Sequence, residues 1–139
     1  LSRLPKPATV YTDLGRHTIE LAIGHYDLTA PRAEQPAVQA DNLFTPPVAY
    51  RGRPVASAFG GLEGGETLIP HWAQPLGRDR WVLRLHEVGG QRGTAQLALA
   101  PGWRAQKVNL LGEPLGAPLR GKTLAFAPYE IISLRLSRG

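Results

Sequence analysis

The 139 residues, with a mass of 15.1 kDa, are enough for one domain of ordinary size and too few for two with well-buried cores. Apolar residues make up 42% and charged residues 19%, which is globular composition, and 16 Gly with 13 Pro predict many turns. The absence of Cys excludes disulfides, thiolate metal sites and cysteine nucleophiles. A net charge of +5 is consistent with an anionic partner or with a solvated Arg-rich surface.

The chain has the features of a piece of a larger protein. It contains no Met, even at position 1, so we expect it to begin inside a longer polypeptide or after a processing site. It has no run of about 18 apolar residues and no signal-peptide core at its N-terminus, so we expect no membrane partner.

The first predicted elements are a strand and a helix. Residues 18–23 alternate, with Ile19, Leu21 and Ile23 on one face, as in a half-buried strand. Residues 33–44 are the only helix candidate, because Pro36 is tolerated in a first turn and Pro46-Pro47 would end the helix. Two strand-like pieces then flank a glycine-rich turn at residues 59–65; they cover residues 55–59 and 67–70.

The second half of the chain predicts a series of strands. The clearest is residues 81–87, which places Trp81, Leu83 and Leu85 inward and Arg84 and His86 on the opposite face. The others, separated by Gly and Pro turns, are residues 94–99, 103–111, 122–126 and 130–136. This spacing predicts an all-β protein, an antiparallel β-sandwich with one short helix, which we take as one domain over residues 1–139.

No catalytic or metal constellation is apparent. The four His residues form neither His-x-His nor His-Glu-x-x-His, so we expect no metal ligand in this chain. The glycines at 60–65 lead into the strand-like residues 67–70, so they predict a hairpin loop rather than a phosphate loop. Ser57 and Ser133 lack a nucleophile-elbow pattern, so we expect no catalytic residue.

Four residues are candidates for contact with a carbohydrate or with another domain. Trp72, beside His71 in a predicted Pro-flanked loop, is the Trp best placed for an exposed contact, because Trp81 and Trp103 fit the inner face. Glu87 and Glu130 lie at the edges of apolar strands, where a charge requires a partner such as Arg84 or Arg135. A structural ion pair is the favoured interpretation, and a place near an active site is the alternative.

Nucleic acid is not an expected partner. The 13 Arg and 3 Lys are scattered along the chain, and no nucleic-acid module signature occurs. A basic β-domain that binds nucleic acid therefore stays the least favoured hypothesis. Its affinity would fall steeply with salt, since phosphate contacts release counterions.

Three segments together resemble the C-terminal β-domain of the α-mannosidases of glycoside hydrolase family 38. The first resembles the family's Asp-x-Gly-x-His strand, the second its Ala-rich stretch ending in Asn-x-Pro, and the third its closing strands and turns. These segments are residues 13–25, residues 42–46, and, within the third, residues 82–87, 90–93, 109–113 and 128–136. The chain departs from the family pattern at His86, where Tyr is usual, and at Ser133, where Thr is usual.

This resemblance implies a portion of a galactose-mutarotase-like super-sandwich within a retaining exo-α-mannosidase. The enzyme's nucleophilic Asp and its divalent metal, usually zinc, would lie in a catalytic α/β domain of the same polypeptide, outside this chain. The enzyme would act on mannose-containing glycans. This chain by itself would be inactive and would bind no cofactor. The alternative is a free-standing carbohydrate-binding module that uses Trp72.

Overall fold

The chain forms an antiparallel β-sandwich, as the alternation of apolar residues predicts. The computed structural model describes residues 16–27, 29–45, 47, 49, 51–52 and 57–139. Its strands are β1 (Phe59–Glu63), β2 (Leu68–Pro75), β3 (Arg80–Glu87), β4 (Gly93–Leu99), β5 (Trp103–Val108), β6 (Thr123–Phe126) and β7 (Ile131–Arg138). A three-stranded sheet has the order β1-β4-β6, and a four-stranded sheet has the order β2-β3-β7-β5.

The core lies between the inner faces of the two sheets. Within β3, Leu83 and Leu85 alternate with Arg84 and His86, so the inner residues are buried and the others lie on the opposite face. Trp81 and Trp103 pack against this core, as predicted. None of the described residues before Ala58 contributes to the core. It consists of Leu68, Leu83, Leu85, Ala95, Leu97, Leu99, Ala105, Leu124, Phe126, Ile132, Leu134 and Leu136.

The helix prediction is confirmed, with a change at its start. A 3-10 helix covers Arg32–Glu34, and α1 covers Pro36–Phe44 with Pro36 at its first turn. The side chain of Gln35, buried at the junction, donates to the carbonyl of Ala30 at 2.9 Å. No helix in the described part of the chain is long and apolar enough to cross a membrane.

Arg32 attaches this helical segment to the sandwich. Its guanidinium donates to four backbone carbonyls around the β1–β2 connection, and its backbone N–H donates to a carboxylate oxygen of Glu66 at 2.7 Å. The four acceptors are the carbonyls of Leu62 at 2.9 Å, Gly64 at 2.6 Å, Gly65 at 3.0 Å and Leu68 at 3.0 Å. The planar guanidinium thus holds a turn that would otherwise leave carbonyls to the solvent.

Two predictions from local pattern are wrong. Residues 18–23 form no strand and pair with no strand of the described chain. The glycine-rich residues 59–63 are not a turn but strand β1, which pairs with β4 through a bulge between Phe59 and Gly61. Glycine weakens a strand locally, yet the pairing with β4 outweighs that cost here. Residues 55 and 56, at the start of the predicted strand over residues 55–59, lie outside the described residues.

Candidate functional site

Trp72 and His71 lie in strand β2 rather than in the loop that the flanking prolines predicted. Trp72 pairs with Arg84 of β3, and a bulge between Pro70 and Trp72 leaves His71 as the extra residue. The Trp72 side chain is 41% exposed, and the Arg84 guanidinium carbon lies 4.9 Å from its ring centroid. One face of the indole is therefore covered by a cation, which is attracted by the ring's negative face.

The outer face of the four-stranded sheet carries these residues in a basic setting. The residues on this face include no Asp or Glu, and its cations are Arg80, Arg84, Arg104 and Arg135, with His86 beside them. Arg84 also donates to the Ser133 hydroxyl at 3.3 Å, and Arg135 donates to the amide oxygen of Gln106. Sequence analysis identified Arg84 and His86 as outward but did not foresee this single basic face, because strand order decides which strands are neighbours.

Glu87 makes a different contact from the one predicted. It is buried at 0% exposure, and no Arg of the described chain pairs with it, because Arg84 stacks on Trp72 and Arg135 bonds to Gln106. Instead its carboxylate accepts four backbone N–H groups from two turns. The donors are Gly89 at 2.9 Å, Gly90 at 2.9 Å, Gln91 at 3.0 Å and Tyr129 at 2.7 Å.

These hydrogen bonds keep Glu87 ionised. Burial by itself raises the pKa of Glu87, but hydrogen bonds from the Thr67 side chain and from the N–H groups of Tyr129, Gln91 and Gly89 lower it from 4.5 to about 2. A carboxylate held in this way is a poor proton donor near neutral pH. Its evident contribution is to join the β3–β4 turn to the turn before β7.

Glu130 does form an ion pair, but with a lysine. One carboxylate oxygen lies 3.5 Å from the ammonium of Lys107, and the other accepts the N–H of Ala127 at 2.8 Å. The two groups are about one-third exposed, so the pair contributes little to stability by itself. Glu130 therefore closes its own turn and links it to β5.

Asn109 stabilises the turn at residues 109–113, another segment that carries the family resemblance. Its side-chain oxygen accepts the N–H groups of Leu111 and Glu113, each at 2.9 Å, and its amide nitrogen donates to the Glu113 carboxylate at 2.7 Å. An Asn side chain that bonds its own following backbone stabilises a tight turn. Asn109 and Glu113 thus hold the connection after β5.

A cleft of about 770 Å³ opens at one end of the sandwich, between the two sheets. The half-buried rings of Trp81 and Trp103 line it, and Arg78, Asp79 and Arg138 are its charged residues. Within the described part of the chain, these three side chains make no hydrogen bond or ion pair. Sequence analysis missed this cleft, because it treated both Trp residues only as core.

The described residues contain no ligand set for a metal ion, because no three His, Asp or Glu side chains converge there. His17 and His25 lie on the exposed segment at residues 16–27, whereas His71 and His86 lie in the four-stranded sheet. We therefore assign no step of metal chemistry to these residues.

The fold is an antiparallel β-sandwich whose turns are held by the side chains of Glu87, Asn109 and Glu130. The model of the family described as "Glycosyl hydrolases family 38 C-terminal beta sandwich domain" matches residues 72–134. This confirms the resemblance over those residues, which include the Glu87, Asn109 and Glu130 turns. No curated protein and no solved structure matches the chain. A match to the C-terminal domain of a glycoside hydrolase family implies an accessory domain with a catalytic domain in the same polypeptide.

Proposed function

We propose that this chain is the accessory C-terminal β-domain of a retaining α-mannosidase and that it supports a catalytic domain in the same polypeptide. The family match over residues 72–134 is the observation that carries this proposal. The outer sheet face, with Trp72, His71 and Arg84, gives it a basic and partly aromatic surface for such contact. The whole enzyme would remove terminal α-mannosyl residues from mannose-containing glycans.

The chemistry belongs to the catalytic domain in this proposal. A divalent metal there, zinc in our hypothesis, would contact the sugar hydroxyls, and a carboxylate nucleophile would form the covalent glycosyl intermediate. Glu87 and Glu130 of this chain would act by holding turns, since both carboxylates are engaged by backbone N–H groups.

An activity assay on two proteins tests the proposal. The 139-residue chain should not hydrolyse an aryl α-mannoside, and the full-length polypeptide that contains it should, with activity lost on chelation and restored by zinc. An immunoblot of the native protein should show a band several times larger than 15.1 kDa. Turnover by the 139-residue chain alone, or a full-length polypeptide inactive on every α-mannoside, would contradict the proposal.

A second candidate function is saccharide binding, and the cleft between Trp81 and Trp103 favours it over the predicted Trp72 site. Indole rings stack on the apolar faces of sugar rings, and the charges of Arg78, Asp79 and Arg138 are available to sugar hydroxyls. At Trp72, by contrast, Arg84 already occupies one ring face.

Calorimetric titration of the 139-residue chain with mannose and with an α-mannobiose distinguishes the two sites. Binding at the cleft should weaken about tenfold in Asp79→Asn, a loss of one charged hydrogen-bond acceptor, and should be unchanged in Trp72→Ala. Loss of binding in Trp72→Ala alone would return the site to the outer face. No heat with either sugar would remove this candidate.

A further inference from the structure

A row of three polar side chains crosses the outer face of the four-stranded sheet near one end. Ser137 of β7 pairs with Arg80 of β3 on one side and with Arg104 of β5 on the other. Paired residues of neighbouring strands lie on the same face, so the two arginine side chains flank that of Ser137. Neighbouring strands are about 4.8 Å apart, which places the Cα atoms of the two arginines about 10 Å from each other. These three residues are the Ser137 row.

The side chains of the Ser137 row have no partner within the described part of the chain. Arg80 and Arg104 are exposed, and their guanidinium groups make no hydrogen bond or ion pair there. The side chain of Ser137 is half-buried and makes no hydrogen bond there either. The N–H donors of both guanidinium groups and the Ser137 hydroxyl are therefore available to a ligand.

A second arginine of β3 shows that such a side chain reaches across to β7. Arg84 pairs with Ser133, and its guanidinium donates to the Ser133 hydroxyl at 3.3 Å. Arg80 stands in the same relation to Ser137, four residues away along both strands. The Arg84 guanidinium is already engaged, because it also lies 4.9 Å from the ring centroid of Trp72. Arg80 repeats the pairing without such a contact in the described chain, so its guanidinium can turn toward a ligand above Ser137.

The backbone of Gly139 leaves room for the guanidinium of Arg104. A Cβ added at Gly139 would lie 3.4 Å from Nε and 3.5 Å from Cζ of Arg104, so the guanidinium rests against a position without a side chain. Gly139 follows Ser137 by two positions, which puts both on the same side of an extended backbone. Arg104 therefore extends from β5 toward the part of the chain that carries Ser137.

The carboxylates of these three strands and their neighbouring turns lie at the other end of the sheet. Glu87 ends β3, Glu130 precedes β7 and Glu113 follows β5, whereas the Ser137 row lies at the opposite ends of the same strands. From Arg80 to Glu87 the strand runs about 23 Å, at about 3.3 Å per residue. Because charges are screened over about 8 Å at physiological ionic strength, these carboxylates do not neutralise the row.

Positive charge dominates the end of the sheet that carries the row. Asp79 is the one acidic residue in the strands and connections at that end of the described sheet, and it lines the cleft. Four arginines stand against this carboxylate: Arg78, Arg80, Arg104 and Arg138. The field there attracts an anion to the row.

We propose that Arg80, Ser137 and Arg104 form a binding site for the phosphate group of a phosphate monoester. Donors on three neighbouring strands match the three terminal oxygens of such a group, and two guanidinium groups match its two negative charges. A carboxylate or a phosphodiester has only two free oxygens and one charge, so neither uses the whole row. The site does not depend on the proposed function, because all its residues belong to the sandwich itself.

NMR titration of the 139-residue chain with glucose 6-phosphate at constant ionic strength tests this site. The Nε–H signals of Arg80 and Arg104 and the backbone N–H signal of Ser137 should shift saturably, with a Kd of about 1 mM. Inorganic phosphate should bind within about threefold of this value, and diethyl phosphate at least about tenfold more weakly. Signals that do not saturate by about 20 mM would overturn the site. Binding of inorganic phosphate alone, or equal binding of the diester, would overturn the assignment to a phosphate monoester.

Variants of the row separate this site from a general attraction of anions to a basic chain. Arg80→Gln and Arg104→Gln should each weaken the binding of glucose 6-phosphate about tenfold, and Ser137→Ala about threefold. Arg120→Gln, at an exposed arginine of the β5–β6 connection, removes the same charge and should change the affinity less than about twofold. Unchanged affinity in any of the three row variants, or equal weakening by Arg120→Gln, would overturn the site. Equal melting temperatures of the variants and the wild type verify that the fold is intact.

Discussion

At the scale of single residues, Glu87 is the group on which two turns depend. Its carboxylate accepts hydrogen bonds from backbone N–H groups up to 42 positions away in the sequence. The most distant donor is Tyr129, which has a left-handed φ of 57°. A non-glycine residue in that region costs about 1 kcal/mol, so the charged hydrogen bond to its N–H offsets a strained backbone. Glu87 thus connects three of the segments that carry the family resemblance.

The lowered pKa of Glu87 predicts acid sensitivity. Because the folded pKa of about 2 lies below the unfolded value near 4.5, the contribution of Glu87 to stability is present above pH 4.5 and is lost as the pH falls toward 2. Urea unfolding of wild type and Glu87→Gln between pH 7 and pH 2 measures this. At pH 7 the variant should be less stable by about 2 kcal/mol.

The difference between the two proteins should shrink as the pH falls, because protonated Glu87 resembles Gln. If the difference in free energy of unfolding stayed constant across the pH range, the ionised form of Glu87 would not be what stabilises the fold. Asp27, whose pKa is lowered by hydrogen bonds from Thr29, is present in both proteins and cancels.

A second residue-scale prediction concerns Gly65. It has a φ of +59°, and an added Cβ would lie 2.7 Å from a ring carbon of Phe126 and 3.2 Å from Cβ of Ala95. Gly65→Ala should therefore be destabilising by about 2 to 4 kcal/mol, through backbone strain and crowding of the core. Thermal unfolding followed by circular dichroism measures the effect.

Gly102→Ala is the matched control, because Gly102 has a φ of +80° but has no atom within 4 Å of its added Cβ. It should lose only about 1 kcal/mol, the cost of the backbone conformation. Equal losses in the two variants would show that Phe126 moves aside at no cost.

At the scale of elements, the helical segment is held mainly by one side chain. Arg32 reaches four carbonyls, whereas α1 has no buried residue of its own. A helix of nine residues is only marginally stable alone, so its position depends on this attachment.

Arg32→Lys should release the helical segment without unfolding the sandwich. A lysine ammonium cannot reproduce the fork of the guanidinium, so hydrogen exchange within residues 32–44 should accelerate at least tenfold. Exchange in β3 and β7 should be unchanged. Arg120→Lys, at an exposed arginine whose side chain makes no hydrogen bond in the described part of the chain, is the control. Equal exchange in both variants would contradict the assigned role of Arg32.

At the scale of the whole molecule, the sandwich has its own core, to which the described residues before it do not contribute. All core residues lie after residue 57, and the family match lies inside the same region. Residues 16–45 contribute the Arg32 attachment and an exposed strand pattern. The domain therefore combines a complete sandwich with an N-terminal connection.

This division predicts that residues 57–139 fold alone. The shortened chain should unfold cooperatively and lose no more than about 3 kcal/mol, because it loses the Arg32 and Glu66 hydrogen bonds but no core contact. Urea unfolding and the dispersion of its amide NMR spectrum measure this. A shortened chain without cooperative unfolding would show that the preceding residues complete the fold.

Local pattern was enough to predict much of the sandwich. Alternation in residues 81–87 and 130–136 depends only on the two-residue period of a strand, so β3 and β7 were predicted within one or two residues. The same rule was wrong at residues 18–23, where alternation shows that a strand is possible but not that a partner is available. Glycine content was a wrong guide at Phe59–Glu63, where a turn was predicted but pairing with β4 decides the conformation.

The candidate site was less predictable than the fold. Sequence alone established an antiparallel β-sandwich, inward Trp81 and Trp103, and a C-terminal series of motifs, because side-chain alternation and turn residues are properties of neighbouring positions. Only the tertiary structure decided that Glu87 accepts backbone N–H groups instead of pairing with Arg84, that Arg84 covers Trp72, and that Arg32 holds the β1–β2 connection. Those partners are separated along the chain and are brought together by the order of strands in the sheets, which sequence periodicity does not specify.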